Sequence, residues 1–409
     1  MSADRVLAMV LAGGEGTRLT PLTAVRSKPA VPFGARYRIV DFVLSNLVNS
    51  EIYSIYMLVQ YKSQPLIEHI RNAWVLAPIL PNHFVTVVPP QMRAGPEWFQ
   101  GTADAVYQNL ELLEVQAPGL VVVFGADHVY RMDVRAMIEF HRSRRADVTV
   151  AALPVPLAAA SAFGIIDCNP DLRVASFTEK PPQPAPIPGD PAHAFASMGN
   201  YVFDADCLVE ALRESHARGE KDFGHDVLPR LARTHRVYAY DFMQNRVPGV
   251  RRQEERAYWR DVGTVDAYFA ANMDILGPSP QFNLFNPRWP IRSGNYQGPA
   301  THILDGRIER SQIGPGTLVR GGTIRESILR REVLIEDDVV LERCVIMDHC
   351  VVRRGARLRN TIVDRHNTIA PGTRIGYEPA VDAKRYHLSE GGVVVVPMAP
   401  VRQDTNLYE

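Results

Sequence analysis

From about Ile303 onward, short aliphatic runs return roughly every six residues. They read Ile313-Gly314, Thr317-Leu318-Val319, Ile324, Ile328-Leu329, Val333-Leu334-Ile335, Val339-Val340-Leu341, Val345-Ile346, Val351-Val352, Leu358, Ile362-Val363, Ile369 and Ile375-Gly376. Hexapeptide spacing with interspersed glycines predicts a parallel β-helix. Each coil of such a solenoid buries its aliphatic corner only by stacking on its neighbours, so residues 301–409 are expected to form one continuous prism. Its flat faces and ends are candidate oligomer contacts.

The first 276 residues have a different texture. Apolar runs such as Ile52–Val59, Leu120–Phe124 and Val148–Leu153 alternate with helix-like stretches such as Ala103–Val115 and Val134–Arg145. That alternation predicts an α/β domain with a mainly parallel sheet and helices on both faces. Gly277-Pro278-Ser279-Pro280 opens a proline-rich linker over 277–300, expected to cross the first domain. Ligands of such sheets sit at the carboxyl ends of the strands.

The first strand end carries the strongest local signal. Val6–Leu11 is apolar and runs through Ala12 into Gly13-Gly14-Glu15-Gly16-Thr17-Arg18-Leu19. Glycines let the backbone approach an anion and aim successive N–H groups at it, and Arg18 adds a planar charged fork. The segment lacks the Gly-Lys-Ser/Thr ending of a Walker A loop, and Leu19 stands where a dinucleotide fingerprint needs glycine. A site for a nucleotide polyphosphate is the expectation.

Other segments join it. Lys28, between prolines and Gly34, is either a solvated loop lysine or a phosphate contact. Asp41, at the start of a helix over Phe42–Val48, either caps it or positions a basic neighbour. Gln60, at a strand end, offers an amide that could read a base edge. In Trp98-Phe99-Gln100-Gly101-Thr102-Ala103-Asp104, Gly101 admits a flat base, Thr102 or Asp104 can cap a helix, and Trp98 reads as core. The apolar strand Val121–Phe124 ends in Gly125-Ala126-Asp127-His128, which leaves a carboxylate at the sheet edge suited to Mg²⁺ facing phosphates. His128 is either a second ligand or, the preferred reading, a structural neighbour. Ala162–Asp167 and Val174–Pro181 predict a hairpin closed by Glu179 and Lys180, adjacent charges that point to opposite faces of a strand and need not pair. One suits a sugar hydroxyl and the other a phosphate. Ser197 opens the next strand. Asp261 either caps the turn at Gly263-Thr264 or joins Asp127 around one cation.

The bulk composition is permissive. The 409 residues are 46% hydrophobic and 22% charged, with 45 basic and 45 acidic side chains. The balance argues against nucleic-acid or membrane-surface binding driven by net charge. The four cysteines, Cys168, Cys207, Cys344 and Cys350, stand apart. They read as reduced, mostly buried thiols of a cytoplasmic protein rather than a disulfide frame or zinc site. No leader pattern or stretch of transmembrane length stands out.

Taken in order, Gly13–Leu19, Ser27–Gly34, Gly101–Ala105, Gly125–Tyr130, Glu179–Pro181, Ser197–Asn200 and Trp259–Thr264 resemble the bacterial glucose-1-phosphate adenylyltransferases (ADP-glucose pyrophosphorylases), sugar nucleotidyltransferases of glycogen synthesis. The resemblance implies a Rossmann-like nucleotidyltransferase domain followed by a left-handed parallel β-helix. It also implies that Phe99, Gly164, Glu179, Lys180 and Ser197 bind glucose 1-phosphate. Leu11, Ala12, Gly13, Gly14, Thr17, Gln60, Gly101, Thr102 and Asp127 would bind ATP. Arg18, Lys28 and Asp127 would be catalytic, and Asp127 with Asp261 would hold Mg²⁺. Homotetramers under small-molecule allosteric effectors are the family habit. Phe99 departs from a common tyrosine. Val25 and Pro32 replace a lysine and a histidine of some activator-sensitive members, which removes positive charge that fructose bisphosphate would use, although Arg38 is kept.

Three other readings share some of these features: transfer to another nucleotide and sugar pair, a hexapeptide acyltransferase using His302, His349 or His366, and a catalytically silent regulatory subunit.

Overall fold

The computed structural model describes residues 5–77, 79–91 and 97–400. In the first domain the strands are β1 (Val6–Ala12), β2 (Pro32–Phe33), β3 (Tyr37–Arg38), β4 (Ser54–Val59), β5 (Phe84–Val88) and β6 (Leu120–Gly125). They continue as β7 (His128–Tyr130), β8 (Val148–Pro156), β9 (Gly164–Cys168), β10 (Val174–Glu179), β11 (His193–Asp204), β12 (Val237–Asp241) and β13 (Trp259–Asp261). The large sheet runs β10-β9-β11-β6-β1-β4-β5, with β8 against β11 and β12 against β8. At its centre β1 is parallel to β4 and β6, and β5 is parallel to β4. β11 runs antiparallel to β6, β8 and β9.

Period-two alternation along β1 explains the layers. Leu7 and Met9 join an apolar cluster with Val106, Leu113, Leu208 and Leu212 on one face. Ala8 and Val10 face the opposite cluster, with Val43, Leu47, Leu66 and Met137. The helix expected over Ala103–Val115 is two helices, Thr102–Tyr107 and Leu110–Gln116. Asn109 lies between them and donates through Nδ2 to the Ala105 carbonyl at 2.8 Å, the local competition that asparagine offers a helix backbone.

The C-terminal residues stack as coils. Leu318, Leu334, Val351 and Thr368 pair in parallel register, so a coil takes 16 or 17 residues, slightly short of three hexapeptides. Ile324, Leu329, Ile335, Leu341, Ile346, Val352, Leu358 and Val363 fill its interior. A separate core is shared between the two parts: Phe33, Phe42, Val265 and Tyr268 pack with Ile328, Val345, Met347 and Ile362. The connecting segment lies across the first domain, with Phe282, Trp289 and Ile291 buried. Ser293 Oγ donates to Asp41 and the Arg292 N–H donates to Ser45 Oγ, both at 2.8 Å.

Asp41 is not a helix cap. The helix Val40–Asn49 starts from Ile39, and the Asp41 carboxylate is a buried hub for the Arg38 N–H, His69, Trp74 Nε1 and Ser293. All four cysteines are free thiols, three of them buried. No helix among the described residues is long and apolar enough to cross a membrane.

Candidate active site

The carboxyl ends of β1, β4 and β6 open onto a cleft of about 620 Å³. β1 delivers Leu11 and Ala12 to its wall and then turns through Gly13 and Gly14. A Cβ on Gly14 would meet nothing within 4 Å, and one on Gly13 only Gln60 Cβ at 3.5 Å, so this backbone faces open space. Gly16 has φ +64°, and a Cβ there would stand 3.1 Å from Lys28 Cβ. Thr23 Oγ1 donates to the Gly16 carbonyl at 2.8 Å and fixes the turn. Thr17 and Arg18 follow in a single 3-10 turn, and the Arg18 side chain is 73% exposed at the cleft mouth.

The floor holds a charge cluster. Asp127 lies two residues beyond β6 and immediately before β7, while Asp261 ends β13, whose antiparallel pairing with β7 puts Asp261 opposite His128. Lys28, buried, donates through Nζ to Asp127 Oδ2 at 3.0 Å and to Asp261 Oδ1 at 2.7 Å. Arg18 Nη2 stands 4.0 Å from Asp261 Oδ2. Burial by itself would weaken the Lys28 ammonium, but the two carboxylates overcome it and hold the proton on more firmly than usual. Burial likewise works against charge on Asp127, and His128 and Lys28 reverse the balance, keeping that carboxyl ionised well below its ordinary range.

This cluster has the donor set of a hard divalent cation. Asp127, His128 and Asp261 place ligand atoms within 4.8 Å of one another. The two carboxylates supply oxygen ligands of the kind that suits Mg²⁺. A Cβ on Gly263 would stand 3.0 and 3.1 Å from the Asp261 oxygens, and one on Gly125 3.2 Å from Asp127 Oδ1. Glycine at both positions leaves the oxygens bare. Asp261 does not cap the following helix Val265–Met273; Thr264 does, accepting from the Ala267 N–H at 3.2 Å.

The cleft's other end is built by the β9–β10 hairpin and β11. Glu179 lies in register with Gly164, where a Cβ would fall 2.7 Å from Glu179 Oε2 and 2.8 Å from Phe177. Glu179 and Lys180 were expected to point apart, yet Lys180 Nζ lies 3.2 Å from Glu179 Oε1. Lys180 has left the strand with φ +46°, which undoes the alternation that separates neighbours. The β11–β8 register shifts between Ser197 and Tyr201, and Gly199 has φ +69°. That bulge accompanies the turn of Ser197 and Tyr201 into the cleft, the frequent use of such irregularities.

Beside the glycine loop, at the end of β4, Gln60 Nε2 donates to the Phe99 carbonyl at 3.2 Å, leaving Oε1 buried without a partner. Phe99 is buried, whereas Trp98, expected in the core, is exposed and lies edge-on to Tyr61 at 6.0 Å. Gly101 lines the cleft, but its missing Cβ answers to the chain itself: one would fall 2.3 Å from the Lys221 carbonyl oxygen. The Thr102 hydroxyl caps no helix; it donates to Asp222 and accepts from the Phe223 N–H.

The residues that the resemblance assigns to substrates, metal or catalysis all line one cleft: Leu11, Ala12, Gly13, Gly14, Thr17, Arg18, Lys28, Gln60, Phe99, Gly101, Thr102, Asp127, Gly164, Glu179, Lys180, Ser197 and Asp261. Phe163, Phe177, Tyr201, Asp222 and Trp259 line it too and had not been singled out. Asp222 carried a usable signal, an aspartate before Phe-Gly that caps the next turn through the Gly224 and His225 N–H groups. The aromatic residues carried none, because cleft-lining and core aromatics look alike in sequence. His302, His349 and His366 belong to the coils and do not line this cleft.

The chain is similar in sequence to known proteins. Residues 7–277 match the family described as Nucleotidyl transferase, and residues 300–396 match the one described as GlmU-like, C-terminal hexapeptide. The glucose-1-phosphate adenylyltransferase of Thermodesulfovibrio yellowstonii is 54% identical over 396 residues, covering 97% of this chain and 96% of the relative. That of Thermus thermophilus is 50% identical over 407 residues, covering 96% and 98%. That of an Anaeromyxobacter strain is 46% identical over 406 residues, covering 97% and 98%.

Proposed function

The chain belongs to the glucose-1-phosphate adenylyltransferases of the nucleotidyl transferase family, and from that premise we propose how its cleft divides the work. The reaction joins ATP and α-D-glucose 1-phosphate to give ADP-glucose and diphosphate, the activated sugar used in α-glucan synthesis. The observation that carries the assignment of roles is the Lys28 bridge between Asp127 and Asp261. It lies on the cleft floor between the glycine loop and the Glu179–Lys180 corner.

The sugar phosphate is already an anion near neutral pH, so the nucleophile needs no general base. The difficulty is to bring two polyanions together for in-line attack on the α-phosphorus. In this reading the Gly13–Gly14 amides and the exposed Arg18 take the triphosphate, with Arg18 on the departing diphosphate. Leu11, Ala12, Thr17, Gln60, Gly101 and Thr102 form the nucleotide wall. Lys180 clamps the sugar phosphate, Glu179 and Ser197 take sugar hydroxyls, and Phe99 and Gly164 shape the sugar site. Asp127 and Asp261 hold Mg²⁺, which supplies charge neutralisation at the phosphates when bound. Lys28 bridges the two carboxylates and sets their spacing.

The same kinship supports a homotetramer, small-molecule effectors and a cytoplasmic setting, the last in keeping with four free thiols. The test of the reading is ADP-glucose formation from ATP and glucose 1-phosphate with Mg²⁺, run beside the other nucleoside triphosphates. ATP is expected to be preferred. Turnover with another triphosphate alone would reassign the nucleotide, and no turnover at all would return the chain to a silent subunit.

A further inference from the structure

Lys28 belongs to a buried run, Arg26 to Gly34, which the β-helix grips on both sides. On the near side, Arg26 donates to Asp364 through Nη1 and Nη2, with contacts to both carboxylate oxygens at 3.0 Å. On the far side, Arg330 reaches out of the coils. Its Nη1 donates to three backbone carbonyls of one hairpin: Phe33 at 3.1 Å, Gly34 at 2.6 Å and Tyr37 at 2.9 Å. Its Nε donates to Asp348 Oδ1 at 3.0 Å. Arg330 is 4% exposed and Asp348 1%, so neither serves solubility.

A grip at Phe33–Tyr37 is transmitted to Lys28 because little between them can yield. Pro29 and Pro32 fix their own φ angles. The Val31 N–H donates to the Lys28 carbonyl at 3.0 Å, and the Ile39 N–H donates to the Val31 carbonyl at 3.1 Å. Arg38 Nη1 donates to the Ala30 carbonyl at 3.0 Å. The same hairpin is tied to the helix that follows Asp261. The Gly34 N–H donates to Asn272 Oδ1 at 2.9 Å, and the Tyr268 hydroxyl donates to the Pro32 carbonyl. The segments bearing Lys28 and Asp261 thus meet at the hairpin that Arg330 holds.

We propose that Arg330 is a positioning residue for catalysis, through which the β-helix sets Lys28 between Asp127 and Asp261. The inference rests on the adenylyltransferase reading and adds to it a role for the coils in the reaction itself. Asp348 orients the guanidinium, and the three carbonyls receive it. A lysine can keep the charge opposite Asp348, but a single ammonium cannot match a fork that reaches a carboxylate and three carbonyls together.

The test is a double-mutant cycle on the full chain, with ADP-glucose formation and thermal melting measured for each variant. Arg330→Met is expected to lower kcat at least tenfold with the KM for ATP changed less than threefold, and Arg330→Lys to fall between. Placed on Lys28→Ala, either Arg330 substitution is expected to lower kcat by less than twofold further, because the group it positions is gone. Val352→Ala, a buried change in the coils away from the hairpin, serves as the stability control and is expected to lower the melting temperature while sparing kcat. If Arg330→Met does not fold, Arg330→Lys decides. A loss of the same size with and without Lys28, or kcat unchanged in the folded Arg330 variants, overturns the proposal. Absence of ADP-glucose synthesis by the parent chain would instead overturn the reading it rests on.

Discussion

Asp127 and Lys180 both carry charge in the cleft, but their surroundings assign them different duties. Asp127 is locked to Lys28 at 3.0 Å with His128 Nε2 3.5 Å from its other oxygen. Asp127→Asn keeps the shape and removes the charge. It is expected to lower kcat at least about a hundredfold, a loss of ~2.7 kcal/mol of transition-state stabilisation, while circular dichroism melting stays near that of the parent. Near-parental turnover would remove Asp127 from the reaction. Lys180 is 64% exposed and its ion pair with Glu179 is solvent-screened, so its loss should barely touch stability. Lys180→Gln is expected to raise the KM for glucose 1-phosphate while that for ATP holds. The opposite pattern would move Lys180 to the nucleotide side. Asp127 was legible in the sequence because an apolar strand ran directly into it. The Lys28 bridge was not, because it joins three segments that meet only in the fold.

Strands and helices were readable where one physical signal dominated. β1, β4, β6 and the β9–β10 hairpin follow apolar runs that end in glycine, glutamine or charge. Irregularities were not readable: the break at Asn109 turns on one local side-chain hydrogen bond, the β11 bulge at Gly199 on a register shift against β8, and the left-handed Lys180 on the hairpin, where its N–H donates to the Phe163 carbonyl. A further element-scale feature is His141, buried in the helix Val134–Ser143 and bonded through Nδ1 to Thr149 Oγ1 of β8 at 2.9 Å. Burial pushes its imidazole down to about 4. As pH falls from its ordinary value of about 6.5 towards 4, the unfolded chain takes a proton that the folded chain refuses. The stabilisation is therefore complete above the ordinary value and drains away below it, by up to ~1.4 kcal/mol per pH unit. His141→Gln is expected to flatten the fall in denaturant-melt stability between about pH 6.5 and 4. An unaltered slope would assign the acid sensitivity to other groups.

The two parts of the molecule share a core, so neither is a passive appendage. Phe33, Phe42 and Tyr268 of the first part are buried against Ile328, Val345, Met347 and Ile362 of the coils. Removing everything after residue 300 would expose that apolar surface to water and take Asp364 away from Arg26, so the interface would be lost together with its ion pair. A chain ending there is expected to be insoluble or to lose its cooperative thermal transition, followed by calorimetry. A soluble fragment with parental kcat would mean that the shared core is dispensable. The hexapeptide rhythm announced the solenoid, because every coil repeats the same aliphatic demand. Nothing in that rhythm said which face would meet the first domain, since Arg330, Asp348 and Asp364 look like ordinary surface charges until they are buried.

By itself the sequence determined the two architectures, the glycine turn after the first strand and the acidic residues at strand ends. These arise from short-range patterns: apolar periodicity, glycine's freedom and proline's restriction act over a few neighbouring residues. Only the tertiary structure decided that Lys28 lies between Asp127 and Asp261, that Lys180 turns back onto Glu179, and that the coils hold the lysine's segment. Those outcomes depend on burying charged groups from distant segments together, and the strength of that interaction is set by position in space rather than by order along the chain.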